Sequence, residues 1–132
     1  MRSPTRIRCR ISTKIMVEMG VLETAAMAQA AQALLGTHDF KAFEGAGSPR
    51  SHSVRTVTDS SLALSADGRL IYDIQADGFL RFMARNIVGT LVEVGLDKMT
   101  VRDVGAILQA KDRCRAGPTA PPQGLFLIAV IY

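Results

Sequence analysis

The hydrophobic positions of residues 78–95 recur at the spacing of an α-helix and form the strongest pattern in the chain. They are Leu80, Met83, Ala84, Ile87, Val88, Leu91 and Val94. At about 100° per residue these side chains form one continuous face, which predicts an amphipathic helix. Phe79 and Phe82 fall among the polar positions, so we expect this end of the helix to be covered on both sides. Arg81 and Arg85 then lie one turn apart beside aromatic surface, where a partly dry guanidinium requires an anionic partner.

Two further helices are predicted from their boundary residues. Residues 24–35 are alanine-rich, with Thr24 as the N-cap and Gly36 as the C-terminal stop. Thr100 is predicted to cap a helix that continues to about Arg113, with Asp103 in the position of a capping box. We expect Lys111 and Arg113 to be surface charges at the end of that helix.

Alternation predicts the strands. Residues 54–65 and Leu70–Ala76 flank an Asp-Gly pair, which is a strong hairpin signal. Residues 125–132 are β-branched and aromatic, as in a well-buried strand. Residues 6–15 also alternate, which favours a half-buried strand with a basic outer face, although a disordered arm or a targeting segment remain alternatives. The basic face carries Arg6, Arg8, Arg10 and Lys14.

The resulting order is (β)-α-β-β-α-α-β, which indicates an α+β fold with a mainly antiparallel sheet packed against helices. Residues 1–20 are predicted to form a basic N-terminal arm or strand, and residues 21–132 a single α+β domain. No apolar run approaches the ~20 residues of a membrane helix. Two cysteines suit neither a disulfide framework nor a zinc site, so a reducing, cytoplasmic setting is expected.

The net charge of +4 is concentrated at the N-terminus. Five cations precede the first acidic residue, Glu18, and the remaining 11 basic and 12 acidic residues nearly cancel. Outside the N-terminal segment, charge alone therefore does not indicate nucleic-acid binding. Residues 45–53 form a Gly/Ser/Pro-rich loop, in which Arg50 and His52 are either RNA contacts or solvated side chains.

No set of residues in the chain has the spacing of a known catalytic or metal site. His38 and His52 have no cysteine or histidine partners at zinc spacing, and we expect no metal and no cofactor. The pair His38-Asp39 is interpreted as stabilising a turn. Gly89, inside the predicted central helix, indicates close approach of another backbone or of a ligand, and helix–sheet packing is the favoured cause.

Several ordered segments of the chain resemble the tRNA pseudouridine synthase A (TruA) family, over roughly residues 22–132. The most specific reads Gly-Phe-Leu-Arg-Phe-Met-Ala-Arg-Asn-Ile-Val-Gly, at residues 78–89. Others are His-Asp-Phe-Lys-Ala-Phe at 38–43, Val-Arg-Thr-Val at 54–57 and Gly-Leu-Phe-Leu at 124–127. The resemblance implies the C-terminal half of a pseudouridine synthase fold.

The resemblance implies an enzyme that isomerises uridine to pseudouridine in the anticodon arm of tRNA, without metal or organic cofactor, as a homodimer. Arg85 matches the arginine that pairs with the catalytic aspartate in the family, and Leu125 matches a leucine that packs near the target base. The family's Arg-Thr-Asp-Ala-Gly motif, which bears that aspartate, does not occur in this sequence. We therefore expect a C-terminal fragment with little activity alone, or one that requires a separate chain carrying the catalytic half.

Two other interpretations remain open. One is a non-catalytic RNA-binding or dimerisation module, suggested by the absent aspartate motif and the basic face of residues 6–14. The other is a truncated gene product with no independent role. Arg81 is a further candidate for contact with RNA phosphate, although solvation is slightly favoured.

Overall fold

The computed structural model describes residues 6–13, 24–45, 52–64, 70–118 and 125–131. These residues contain a five-stranded antiparallel sheet of order β2-β3-β4-β1-β5. The strands are β1 (Arg6–Thr13), β2 (Gly36–Asp39), β3 (Val54–Leu64), β4 (Leu70–Ala76) and β5 (Leu125–Ile131). The helices are α1 (Thr24–Gln32), α2 (Met83–Gly95) and α3 (Val101–Ala110), with short 3₁₀ turns at Lys41–Phe43 and Arg113–Arg115. The predicted α+β class and antiparallel sheet are confirmed.

The core lies between the three helices and one face of the sheet. The alternating residues Leu70, Tyr72, Ile74 and Ala76 of β4 are all buried on one face, because successive side chains of a strand point to opposite faces. They join one apolar cluster with Met27 of α1, Ile87 and Leu91 of α2, and Val104 of α3. Among the described residues, no helix is long and apolar enough to cross a membrane.

Two helix ends and one short strand differ from the predictions. Helix α1 ends at Gln32, and a turn through Leu35 carries the chain into β2, a short strand that the sequence pattern did not predict. Gly36, the expected helix stop, has a φ of 102° and begins that strand. Helix α3 ends at Ala110 because Lys111 adopts a left-handed conformation with a φ of 55°, so Arg113 lies beyond it.

The alternating residues 6–13 occupy an interior place in the sheet. Strand β1 pairs with β4, where Arg8 lies opposite Gln75, and also with β5, where Arg6 lies opposite Ile131. A register irregularity between Arg8 and Cys9 interrupts the second ladder. The burial of Cys9 raises the pKa of its thiol, as expected where desolvation disfavours the thiolate.

Candidate active-site and RNA-binding surface

The central helix begins five residues later than the periodicity predicted. Phe82, its N-cap, has a φ of 59°, and a bulky residue in the left-handed region cannot continue a right-handed helix. The Asn86 amide donates to the Phe82 carbonyl at 2.8 Å, so regular helical hydrogen bonding starts at this turn. Arg81 therefore precedes the helix, and helical spacing is not what brings it close to Arg85.

The side chains of Arg81 and Arg85 both contact the ring of Phe82. The Cζ atoms of Arg81 and Arg85 lie 5.0 and 4.9 Å from its centroid, within the range of cation–π contacts. The side chain of Phe82 is 41% exposed, so the expected covering of this end of the helix is wrong for this ring. Phe79 is partly buried against the core. The first turn of α2 thus presents an aromatic ring and two guanidinium groups at the surface.

Gly45 contacts the segment that immediately precedes α2. Its amide donates to the Arg81 carbonyl at 2.7 Å. A β-carbon on Gly45 would lie 2.6 Å from Cδ2 of Phe82, which is closer than packed carbon atoms approach. Glycine at this position therefore allows the ring to lie against the 3₁₀ turn that follows β2.

The segment after α3 is tied to the central helix by a buried polar network. Arg113 donates to Asn86 Oδ1 at 3.0 Å and to the Gly117 carbonyl at 2.9 Å. The Gly117 amide donates to Thr90 Oγ1 at 2.9 Å, and Asn86 donates to the Phe43 carbonyl at 2.7 Å. Arg113 is half-buried, so its expected role as a surface charge is wrong, whereas Lys111 is exposed.

Gly117, a member of this network, lies against the backbone of the central helix. A β-carbon on Gly117 would lie 2.8 Å from both the Gly89 carbonyl oxygen and the Thr90 Cα. The backbone of residue 117, in the loop after α3, therefore approaches that of α2 closely, which requires glycine at position 117, while the expected packing of Gly89 against the sheet stays a prediction. The loop leads on along the chain to Leu125, the first residue of β5.

Two arginines of β1, Arg8 and Arg10, are paired with residues of β3 and β4. Arg10 makes a bidentate salt bridge to Asp73, with Nε 2.7 Å from Oδ1 and Nη2 3.0 Å from Oδ2. This contact raises the pKa of Arg10. Arg8 donates to Gln75 Oε1 at 3.0 Å and lies 3.5 Å from the Asp59 carboxylate. Neighbouring carboxylates therefore offset the positive charge of both side chains, although each remains partly exposed.

The other predicted site residues are dispersed. His52 is exposed beside the start of β3. Arg6 forms the first backbone pair of β1 with β5, and Leu125 lies opposite Ile11, which in turn pairs with Tyr72. Arg50 and Lys14 lie outside the described residues. The structure thus brings Arg81 and Arg85 together, and it leaves His52 and the β1 arginines in other parts of the fold.

His38 and Asp39 each bond to nearby groups. His38 Nε2 lies 2.7 Å from the Leu35 carbonyl, and Asp39 accepts from Ser53 and from the Lys41 amide. Partial burial of the Asp39 carboxyl opposes ionisation, but these hydrogen bonds and two lysines outweigh it and lower its pKa. In the described part of the chain no three histidine, cysteine or acidic side chains are grouped to hold a metal ion.

Phe82 and Arg113 are the residues that the sequence interpretation missed. The periodicity predicts Phe82 inside the central helix, whereas it is the N-cap that precedes the helix. A large aromatic residue among the polar positions of an amphipathic pattern was the available signal. Arg113 had no comparable signal, because its partners Asn86 and Gly117 are brought to it only by the fold.

Known proteins match most of this chain. A family model described as tRNA pseudouridine synthase matches residues 30–132. The tRNA pseudouridine synthase A of Thermoanaerobacter sp. (strain X514) is 51% identical over 106 residues, which cover 80% of this chain and 43% of that protein. The proteins of the same name from Acetivibrio thermocellus and Myxococcus xanthus are 47% and 42% identical, each over 84% of this chain.

The alignments cover less than half of these relatives, 45% of the Acetivibrio protein and 42% of the Myxococcus protein. The matched region contains α2 with Arg85, the Arg113 network and β5 with Leu125. Because the family model covers more than half of the chain, the match extends well beyond the single helical motif. The chain belongs to the tRNA pseudouridine synthase family.

Proposed function

We propose that this chain supplies the C-terminal part of a tRNA pseudouridine synthase, which isomerises uridine to pseudouridine in the anticodon arm of tRNA. The observation that carries the proposal is the first turn of α2, where Arg85 is held at a partly exposed surface within the region shared with enzymes of that name. The nucleophilic aspartate is then contributed by an N-terminal half that is absent from these 132 residues.

Arg85 is proposed to keep the aspartate of the other half ionised and oriented. A guanidinium beside a carboxylate lowers the pKa of the carboxylate, so that the anion is available as a nucleophile at neutral pH. Arg85 is half-buried and lies over the Phe82 ring, which restricts the positions that its long side chain adopts. A positioned guanidinium loses less side-chain entropy when it pairs with the incoming carboxylate.

Leu125 is proposed to cover the target base after it leaves the RNA stack. An apolar side chain beside a flipped base excludes water from the reacting carbons, and flipping is least costly for a base in a single-stranded loop. The proposal rests on the family resemblance and on the position of Leu125 at the start of β5, after the loop that Arg113 and Thr90 tie to α2.

The proposed partners follow from the same assignment. The substrate is tRNA, the functional assembly is a homodimer, and a separate chain or a covalently linked segment carries the catalytic half. The proposed location is the cytoplasm. The boundary between residues 1–20 and the domain at 21–132 also stays a prediction, and β1 lies on the N-terminal side of it.

Tritium release from tRNA labelled at uracil C5 tests the activity, because forming the carbon–carbon glycosidic bond expels the C5 hydrogen. The purified chain alone is expected to release none. Adding the N-terminal half of the Thermoanaerobacter relative should restore release. Arg85→Ala should abolish the restored activity, whereas Arg102→Ala, which removes an exposed charge from α3, should leave it intact.

Two outcomes would contradict the proposal. Efficient release by the 132-residue chain alone would show a nucleophile within it. No release from a mixture in which the two halves demonstrably associate and bind tRNA would exclude the activity and favour the non-catalytic RNA-binding or dimerisation module.

A further inference from the structure

Phe82 is an exposed aromatic side chain in a backbone conformation that phenylalanine rarely adopts. Its φ is 59°, a region where glycine and asparagine are common and bulky residues are outliers. Phe82 and Val54 are large hydrophobic residues with 41% and 36% of their surface exposed. Neither the backbone nor the burial of this residue favours phenylalanine, so the ring is not explained by stability.

The surroundings of the ring combine aromatic surface with positive charge. Arg81 and Arg85 place guanidinium carbons 5.0 and 4.9 Å from its centroid. Proteins bind unpaired nucleotides with this combination, because bases stack on aromatic rings and guanidinium planes while cations contact the phosphates. The core of a protein–protein interface is depleted of charge, whereas this ring carries two guanidinium groups. The N-terminal half proposed above approaches Arg85 through a carboxylate, and the exposed Arg81 and the Phe82 ring are assigned to RNA.

We propose that Phe82 and Arg81 form a stacking site for an unpaired nucleotide of RNA, with the base against the ring and the Arg81 guanidinium on the adjoining phosphate. The proposal deepens the proposed function, on which its biological context rests. It adds a binding subsite next to Arg85 and assigns the nucleotide to a single-stranded region, because a paired base has no free face to stack.

The local packing indicates which of the two guanidinium groups the base displaces from the Phe82 ring. Gly45 lies against the Cδ2 edge of the ring, and Arg85 is half-buried on the first turn of the helix. Arg81 is exposed, and its backbone is held by the hydrogen bond from Gly45 to its carbonyl. Its side chain can therefore move from the ring to a phosphate while the main chain stays in position.

Replacement of Phe82 by glycine separates binding from stability. Phe82→Gly removes the ring and also the left-handed strain, so its melting temperature should be at least that of the native chain. Its affinity for a fluorescein-labelled single-stranded oligouridylate, measured by anisotropy at low salt, should fall roughly tenfold. Phe82→Tyr keeps an aromatic face and should bind within about twofold of the native chain.

The salt dependence of oligonucleotide binding tests the proposed contact between Arg81 and a phosphate. Arg81→Ala should lower the slope of log affinity against log salt by about 0.7, the contribution of one phosphate contact in a single strand. Arg102→Ala removes an equally exposed charge from α3 and should leave the slope unchanged. Photo-crosslinking with a 5-iodouridine oligonucleotide should attach the label to Phe82.

Unchanged RNA affinity in Phe82→Gly, or crosslinks only at other residues, would overturn the stacking site. Failure of the native chain to bind the oligonucleotide at low salt would also overturn it. These results would leave the tritium-release assay intact as the test of the proposed function. If Phe82→Gly unfolds, Phe82→Asn, which also suits a left-handed backbone, provides the same comparison.

Discussion

At the residue scale, the most constrained polar contact in the core joins two hydroxyl groups. Ser60 Oγ and the Tyr72 hydroxyl lie 2.6 Å apart, and both side chains are almost fully buried. Because water cannot reach them, each hydroxyl depends on the other for its hydrogen bond. The pair joins β3 to β4, whose register places Ser60 opposite Ile74 and Leu62 opposite Tyr72.

Removing one of the two hydroxyl groups should lower the free energy of unfolding more than removing both. Tyr72→Phe leaves Ser60 buried without this partner, and we expect a loss of about 1–3 kcal/mol in the free energy of unfolding. Ser60→Ala should cost a similar amount, while the double variant should recover part of the loss. Urea unfolding of the four proteins measures the coupling, and strictly additive losses would show that the hydroxyls act independently.

The buried Tyr72 should make the fold less stable at alkaline pH. Burial raises the pKa of Tyr72 well above its ordinary value, a larger effect than the opposing hydrogen bond from Ser60. A group with a raised folded pKa contributes its full stability below its unfolded pKa of about 10, and this stability falls as the pH rises above that value. The free energy of unfolding should decrease more steeply above pH 10 in the native chain than in Tyr72→Phe.

Two glycines should respond oppositely to alanine. Gly117→Ala places a β-carbon 2.8 Å from backbone atoms of Gly89 and Thr90, so the loop must move away from α2, and we expect a loss of about 1–3 kcal/mol. Gly105→Ala, in α3, meets nothing within 4 Å and should gain up to about 1 kcal/mol of helix propensity. Equal effects in thermal unfolding would contradict the close approach at Gly117.

At the element scale, helix α3 begins at the predicted capping box. The Asp103 amide donates to Thr100 Oγ1 at 3.2 Å, and the Thr100 amide donates to the Asp103 carboxylate at 2.9 Å. These hydrogen bonds lower the pKa of Asp103. Both partners lie within one turn, which is why four consecutive residues were enough to predict them.

Loss of the cap should lower the free energy of unfolding modestly. The contribution of the Asp103 carboxylate to the cap should depend on pH. Thr100→Ala is expected to cost about 1 kcal/mol, because the Asp103 amide loses its acceptor. Since the folded pKa of Asp103 is lowered, its contribution is present above its unfolded pKa of about 4 and declines as the pH falls below that value. The difference in the free energy of unfolding between the native chain and Asp103→Asn, which lacks the carboxylate, should therefore be smaller at pH 3 than at pH 7 in chemical denaturation.

Local patterns predicted the strands of the hairpin and the cap of α3, since each depends on residues close together in sequence. The late start of α2 at Met83 was missed because it depends on Phe82, whose ring is packed against Gly45. The role of Arg113 was missed because its acceptors lie on another element. The partners of Arg8 and Arg10 were not foreseen because Asp59 and Asp73 lie on β3 and β4, far from β1 in the sequence.

At the scale of the whole molecule, the sheet ends in a strongly apolar edge strand. In the described sheet β5, whose sequence is Leu-Phe-Leu-Ile-Ala-Val-Ile, pairs with β1 on one side. Hydrophobic edge strands present free backbone donors and acceptors and favour pairing with another chain.

We therefore expect the isolated chain to self-associate. Light scattering at tens of micromolar should give a mass above the 14.2 kDa of one chain. Ala129→Glu places a charge on β5 at the position paired with Arg8, and charged edge residues oppose strand addition, so this variant should shift the mass towards the monomer. A monomeric native chain under these conditions would refute the expectation.

The place of β1 between β4 and β5 also has a consequence for how the chain folds. Arg6 pairs with Ile131, so this ladder joins segments near opposite ends of the sequence, and β5 is the last of the five strands to be synthesised. Contacts so distant in sequence close large loops and slow folding relative to local helix formation. The β3–β4 hairpin and the helices can form earlier, whereas the sheet is completed only when the final strand reaches β1.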